Sequence, residues 1–168
     1  AFSLILFDIN TQSLYIIKDK YGIRPLCVGE NDYGFCISSE NIDLQEYEYI
    51  RELRNNSIYR INYNHRFVEL YHNKHIQKKC IFEYIYLQKK DNYIYNGLSK
   101  QIAYENIKTY GNNLYNKFSI EKFRYFVGYK LAEYDQKNYS NKKIIVIGAP
   151  DTGIPYGKGF ACYLNVNY

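Results

Sequence analysis

The 168-residue chain contains no methionine and no tryptophan, and it has only three prolines. Because an initiator methionine is missing, we expect the chain to be an internal piece of a longer protein. No run approaches the roughly 18 consecutive apolar residues that a membrane-spanning helix needs. No basic segment followed by an apolar one opens the chain, as it would in a secretory signal. These absences predict a cytoplasmic protein that makes no contact with a membrane.

Cysteine is sparse, and no C-x-x-C pair is present among the four cysteines. They are Cys27, Cys36, Cys80 and Cys162. Their wide spacing predicts reduced, buried thiols in a cytosol rather than a disulfide framework or a zinc knuckle. His72, His75 and Cys80 offer three metal donors, but a structural zinc site needs four. We therefore expect no metal site at these residues.

Positive charge is not clustered, although the formal net charge is +5. A nucleic-acid-binding surface gathers lysine and arginine along one stripe, whereas here the basic residues are scattered among 22 tyrosines. Only residues 74–79 and the pair Lys142–Lys143 are locally basic, which is typical of solvated faces. The composition predicts that nucleic acid is not a partner.

The amino-terminal half alternates short apolar runs with turn residues, which predicts one antiparallel sheet. The expected strands are residues 1–7, which have the composition of a core strand, 14–18, 35–38, 57–62 and 66–71. Turns are expected at Tyr21–Gly22, at 62–65, and at Asn55–Asn56, since asparagine tolerates positive φ. Residues 41–49 are expected to form a short helix after a serine cap.

The segment Cys80–Leu87 joins this half to the next, and its β-branched and aromatic residues predict a buried strand. Glu83 inside that run must be paired or face water, because an unpaired buried carboxylate is costly. Residues 99–118 carry an apolar stripe at helical spacing and are the best helix candidate. Residues 119–141 look like an inserted segment with some helical pattern, of the kind that surface loops tolerate.

The last part of the chain reads as strand, small-residue turn and helix. Ile144–Ile147 is an aliphatic run typical of a strand buried in a parallel sheet. Gly148–Gly153 forms the turn, and Tyr156–Leu164 is expected to be the helix. Backbone amides and a helix amino terminus in such a unit bind phosphate.

Five blocks of the chain resemble, in the same order, segments of one enzyme family. They are Asp19–Gly29 (DKYGIRPLCVG), Ser38–Glu40 (SSE), Ile50–Leu53 (IREL), Cys80–Tyr86 (CIFEYIY) and Ile144–Gly153 (IIVIGAPDTG). They are similar to "RDxxGIRPLxxG", "ASE", "IRDV", the domain-joining segment and the "PDS" loop of the amidophosphoribosyltransferases. Gly111 matches the family's "GxxLA", but Ile107 stands where the family has an arginine, and residues 119–141 have no counterpart of that length.

The resemblance implies a fold class and a domain division. Residues 1–79 would be the end of an α+β, antiparallel N-terminal-nucleophile glutaminase domain, and residues 80–168 the start of an α/β phosphoribosyltransferase-like domain. The family transfers the amide nitrogen of glutamine to phosphoribosyl pyrophosphate, giving phosphoribosylamine in the first step of de novo purine biosynthesis. For the parent protein it implies these two substrates, Mg²⁺ and a homo-oligomer.

The resemblance carries over few site residues. Asp151, Thr152 and Gly153 correspond to the pyrophosphate loop, but Gly153 replaces a serine that contributes to the metal site. The family's nucleophilic cysteine must be residue 1 of the mature chain, and here residue 1 is Ala1. The acidic strand that holds magnesium, "VDDS", is absent from this sequence, so no catalytic and no metal-ligating residue is assigned.

Cys80 matches one of four iron–sulfur ligand positions found in one branch of the family. The other three ligands would lie beyond Tyr168, and a cluster needs four thiolates, so we do not expect this chain to bind one. The chain by itself is expected to be inactive. The alternative hypothesis is a catalytically inactive structural or interaction module from a decayed gene, which would associate through an open strand edge.

Overall fold

The computed structural model describes residues 1–47, 49–94, 118–139 and 142–168. They form two compact units, Ala1–Ile81 and Phe82–Tyr168. No helix in the described ranges is long and apolar enough to cross a membrane.

The first unit contains two antiparallel sheets rather than the single sheet that was predicted. The strands are β1 (Ser3–Asp8), β2 (Ser13–Lys18), β3 (Cys27–Asn31), β4 (Gly34–Ser38), β5 (Tyr49–Glu52), β6 (Ser57–Ile61) and β7 (Phe67–His72). The first sheet has the order β1-β2-β6-β7 and the second has the order β4-β3-β5. The chain leaves the first sheet at the Gly22 turn, where φ is +62°, and begins the second sheet at Cys27. The antiparallel α+β class is confirmed.

The core of this unit is formed by buried side chains from both sheets. Ile16 and Tyr59 come from the first sheet, and Val28 comes from the second. Leu26 and Leu53, which flank strands of the second sheet, complete the cluster. Burying such apolar side chains is worth about 1.5–3 kcal/mol each, which makes this cluster the main stabilising feature of the unit.

Strand β1 was predicted in the core but lies at the edge of the first sheet. Its only pairing partner among the described strands is β2. Leu4, Ile5 and Leu6 are 43%, 46% and 51% exposed. An apolar run identifies a strand, but it does not say whether both faces of that strand are covered.

The predicted turns are confirmed. Asn56 has φ of +52° and His65 has φ of +55°, both in the left-handed region. The side-chain Oδ1 of Asn62 accepts hydrogen bonds from the amides of Asn64 and Arg66, which fixes the β6–β7 turn. The expected short helix is a single 3₁₀ turn, Asn41–Leu44.

In the second unit, the predicted strand at Cys80–Leu87 is wrong, since Glu83–Leu87 forms a π-helical turn. The amide of Gln88 donates to the carbonyl of Glu83, and the rings of Phe82 and Tyr86 stack at 5.3 Å. Glu83 is 6% exposed. A short apolar run does not distinguish strand from helix by its pattern, and here the tertiary contacts favour the helix.

Two helices and a short strand pair complete the second unit. The elements are β8 (Tyr93–Ile94), β9 (Phe118–Ser119), α1 (Ile120–Asp135), a 3₁₀ turn (Gln136–Tyr139) and α2 (Gly153–Leu164). Ser119 caps α1 by accepting a hydrogen bond from the Lys122 amide. The helix predicted at 99–118 lies almost wholly outside the described residues.

The predicted strand Ile144–Ile147 is not paired with any described strand. Its backbone contact is the amide of Val146, which donates to the carbonyl of Asn167 at 3.1 Å. Ile145 and Ile147 are 72% and 86% exposed. A strand needs a neighbour to complete its hydrogen bonds, and the described chain places none beside this run.

Candidate functional site

The residues predicted to bind pyrophosphate lie where residues 148–152 lead into α2. Asp151 is exposed, and Thr152 and Gly153 are half-buried. Thr152 occupies the position before the helix, and its side chain makes no capping hydrogen bond. The Thr152 hydroxyl therefore remains available to a ligand at the amino terminus of α2.

The first two backbone amides of α2 donate to carbonyl groups of the preceding loop. The Gly153 amide donates to the carbonyl of Ala149 at 2.8 Å, and the Ile154 amide donates to that of Asp151 at 3.4 Å. Pro155 follows and has no amide hydrogen. An anion at this site must therefore compete with the intraloop hydrogen bonds, of which the longer one to Asp151 is the weaker.

Two glycines shape the loop in different ways. A Cβ atom at Gly148 would lie 2.6 Å from the carbonyl oxygen of Gly153, so only glycine fits there without a shift. A Cβ atom at Gly153 would meet Ala149 Cβ at 3.4 Å, an ordinary contact. A Cβ atom is therefore tolerated at Gly153.

Helix α2 is held against α1 by direct contact between their backbones. A Cβ atom added at Gly128 of α1 would overlap the carbonyl oxygen of Tyr156, and one at Gly159 of α2 would overlap that of Tyr125. Two helix backbones approach this closely only where glycine leaves no Cβ atom between them. The helix that carries the candidate loop is therefore fixed by the pair Gly128 and Gly159.

Two polar side chains connect these helices to the π-helical turn. Arg124 of α1, which is 3% exposed, donates to the carbonyl of Tyr84 at 3.0 Å and to that of Gln88 at 2.8 Å. The hydroxyl of Tyr156 in α2 donates to the carbonyl of Ile85 at 2.9 Å. Burial raises the pKa of Tyr156, and the nearby Arg124 opposes that rise. These bonds satisfy carbonyls that the short turn leaves without helical partners.

The first unit holds a charged cluster at the junction of its sheets. Lys18 Nζ lies 2.9 Å from Glu52 Oε1 and donates to the carbonyl of Leu53 at 3.0 Å. Gln77 also donates to Glu52, at 3.1 Å. Burial, with a further contribution from the Glu52 carboxylate, raises the pKa of the neighbouring Cys27 thiol to about 12. A thiol with that pKa stays neutral, so Cys27 is a structural residue and not a nucleophile.

The described residues do not fit a resident metal or cluster. Within these ranges, no three His, Cys, Asp or Glu side chains gather where they could hold a metal ion. Mg²⁺ keeps several waters and is usually held by one or two carboxylates together with substrate phosphates, and the candidate loop offers the single carboxylate of Asp151. Cys80 is half-buried, and all four cysteines are free thiols.

Comparison with known proteins gives consistent matches, although no family model matches the chain. The amidophosphoribosyltransferase of Mycobacterium bovis is 28% identical over 170 residues, which cover 100% of this chain and 27% of that protein. The amidophosphoribosyltransferase of Synechococcus elongatus is 26% identical, over 100% of this chain and 30% of that protein. The chain therefore spans less than a third of the length of these relatives.

Solved structures agree on the fold. A structure described as the allosteric regulatory enzyme of purine biosynthesis has a TM-score of 0.68, with 21% identity, 93% of this chain covered and 29% of that chain. The glutamine phosphoribosylpyrophosphate amidotransferase from B. subtilis has a TM-score of 0.67 with the same identity and coverage. The chain resembles amidophosphoribosyltransferases over its whole length.

One amidophosphoribosyltransferase pattern fits this sequence at a second place, while the first place, at Ile107 and Gly111, lies outside the described residues. The pattern "GxxLA" with an arginine four residues earlier was assigned to Ile107 and Gly111, which left the arginine unmatched. Arg124, Gly128 and Leu131–Ala132 match every position of it. Arg124, Gly128 and Ala132 are buried on one side of α1, so residues 120–135 are part of the packed unit and not a surface insertion. The arginine was the signal in the sequence that locates this helix.

The Lys18–Glu52 pair also falls on amidophosphoribosyltransferase patterns. Lys18 stands at the arginine of "RDxxGIRPL", and Glu52 stands at the aspartate of "IRDV". Lysine replaces the arginine of the first pattern, and glutamate, which is one methylene longer, replaces the aspartate of the second. In this chain the two charged groups form an ion pair. Sequence reasoning assigned no role to either residue.

Proposed function

We propose that this chain is part of an amidophosphoribosyltransferase. Residues 1–79 would complete its glutaminase domain, and residues 80–168 would open its phosphoribosyltransferase domain. The whole enzyme would move the amide nitrogen of glutamine to phosphoribosyl pyrophosphate, releasing pyrophosphate and forming phosphoribosylamine. The observation that carries this proposal is the match of the entire chain to proteins of that name.

Within that enzyme, Asp151–Gly153 would contact the pyrophosphate group of the substrate. The loop precedes a 12-residue helix, whose amino terminus carries a partial positive charge that favours anions. The Thr152 hydroxyl makes no capping hydrogen bond, and Gly153 has no side chain, so an anion can approach the backbone closely. The Asp151 carboxylate opposes an anion, so binding by this chain alone would be weak, with a Kd of about 1 mM or higher.

The chain alone would have neither glutaminase nor transferase activity. The loop offers one carboxylate, that of Asp151, and an acidic strand elsewhere in the enzyme would supply the main metal ligands. A cytoplasmic, homo-oligomeric parent belongs to the same proposal.

The test is to extend the reading frame in both directions and to express the longer protein. Glutamate and pyrophosphate release are then measured with glutamine, phosphoribosyl pyrophosphate and Mg²⁺ present. We expect both products in equal amounts from the longer protein and neither from the 168-residue chain. A longer frame with no cysteine after its initiator methionine and no paired-acid strand would overturn the proposal.

A further inference from the structure

Two basic segments of the first unit lie side by side on its surface. Residues 19–24 hold two basic side chains and one acid, and residues 73–79 hold three basic side chains and no acid. Their combined formal charge is +4, against +5 for the whole chain. The amide of Lys78 donates to the carbonyl of Tyr21 at 2.9 Å, and the side chain of Asn55 donates to the carbonyls of Lys20 and His75. Basic residues that are distant in the sequence therefore lie close together in the folded unit.

The exposed side chains of the second segment alternate with half-buried ones, as they do along an extended chain. Lys74, Ile76 and Lys78 are exposed, while His75 and Gln77 are half-buried. Ile76 is 79% exposed. The segment thus presents a row in which an apolar side chain lies between two ammonium groups. We call Lys20, Lys74, Ile76 and Lys78 the basic ridge.

The ammonium groups of the ridge are not neutralised by neighbouring acids. Glu52 contacts Lys18 and Lys79, but within the described ranges no carboxylate lies at ion-pair distance from Lys20, Lys74 or Lys78. These three lysines are therefore open to an external anion. In contrast, residues 25–50 contain six acids and no lysine or arginine, so an acidic ligand would be repelled there and directed to the ridge.

The ridge fits a peptide better than it fits nucleic acid. Single-stranded nucleic acid needs an open aromatic ring on which a base stacks. The ring of Tyr21 already has Lys20 Nζ at 5.8 Å and Lys78 Nζ at 5.0 Å from its centroid, with His75 against its edge. A phosphate backbone would also leave Ile76 without an apolar contact.

We propose that the basic ridge binds an extended acidic peptide segment with acids at positions i and i+4 and an apolar residue at i+2. In extended chains, residues four apart are separated by about 13 Å. Lys74 and Lys78 are likewise four residues apart in the sequence, with Ile76 midway between them. The two acids would pair with the lysines while the apolar side chain covers Ile76. This inference does not depend on the proposed enzymatic function.

The proposal is tested with the full chain and a fluorescent peptide containing Glu-Gly-Leu-Gly-Glu, by fluorescence anisotropy. We expect saturable binding that weakens as salt is raised. The double variant Lys74→Gln/Lys78→Gln should lower the affinity about three- to tenfold, the range for two exposed ion pairs. Lys20→Gln and Ile76→Ser should each lower it about two- to threefold.

The matched control is Lys142→Gln/Lys143→Gln, which removes two exposed lysines of the second unit and should leave the affinity unchanged. Equal loss in this control, or equal binding of a peptide with glutamine in place of both glutamates, would overturn the proposal. Stronger binding of an oligouridylate than of the peptide would also overturn it, because the ridge would then be a nucleic-acid surface. Unchanged thermal melting of the variants shows that the losses are local.

Discussion

Lys18 Nζ lies 2.9 Å from Glu52 Oε1, and this contact joins the two sheets of the first unit. Lys18 ends β2 in the first sheet, and Glu52 ends β5 in the second. The Lys18 side chain has no exposed surface, whereas that of Glu52 is 24% exposed. The lysine therefore depends on Glu52 and on the Leu53 carbonyl to compensate its lost hydration.

Glu52→Gln should destabilise the first unit by about 2–4 kcal/mol, because it leaves the Lys18 charge buried without a carboxylate. Glu69→Gln is the matched control, since Glu69 pairs with Arg54 at 3.7 Å on the surface and should cost less than about 1 kcal/mol. Urea unfolding measures both. The double variant Lys18→Met/Glu52→Gln should regain most of the free energy of unfolding that Glu52→Gln loses. Equal costs for Glu52→Gln and Glu69→Gln would show that the buried pair contributes little.

Gly128→Ala should destabilise the second unit by about 1–3 kcal/mol, because the new methyl group overlaps the Tyr156 carbonyl. This loss outweighs the gain of about 1 kcal/mol that alanine gives over glycine inside a helix. Gly153→Ala is the control, since its methyl group makes only ordinary contacts. Thermal melting followed by circular dichroism compares the two. An unchanged or higher melting temperature for Gly128→Ala would contradict the close packing of α1 on α2.

Gly153→Ser should raise the affinity of the loop for inorganic pyrophosphate about tenfold, as one charge-assisted hydrogen bond of about 1.5 kcal/mol would. A Cβ atom is tolerated at this position, so the substitution itself should not disturb the loop. Amide chemical shifts recorded during a titration give the affinity and locate the site. Gly153→Ala should leave the affinity unchanged. Shifts at residues 74–79 instead of 151–156 would show that pyrophosphate binds by charge alone.

Cys27 should resist thiol reagents at pH 8 in the folded protein, whereas the exposed Cys162 reacts. The raised pKa also predicts a change of stability with pH. An unfolded thiol ionises near pH 9, but the folded Cys27 stays neutral until about pH 12. The contribution of Cys27 to the free energy of unfolding is therefore complete below pH 9 and is lost as the pH rises from 9 to 12. In urea unfolding, the free energy of unfolding of Cys27→Ala should decrease less over that range than that of the unchanged protein. Rapid labelling of Cys27 at pH 8 would contradict its burial.

The local features of this protein could be predicted from its amino-acid sequence. Gly22, Asn56 and the turn at 62–65 were predictable because each residue type fixes the backbone conformation of its own turn. Five of the strands followed from short apolar runs between turn residues, whereas β3 and β5 were not predicted. The ordered motifs led to the resemblance to amidophosphoribosyltransferases. These signals need no knowledge of distant contacts.

Which faces are covered, and which distant segments meet, could not be predicted from local patterns. The run Glu83–Leu87 is helical because Arg124 and Tyr156, far along the chain, satisfy its carbonyls. The Lys18–Glu52 pair joins residues 34 positions apart, and the helix crossing at Gly128 depends on a glycine in another helix. Such contacts are set by the packing of whole elements, so no local pattern in the sequence specifies them.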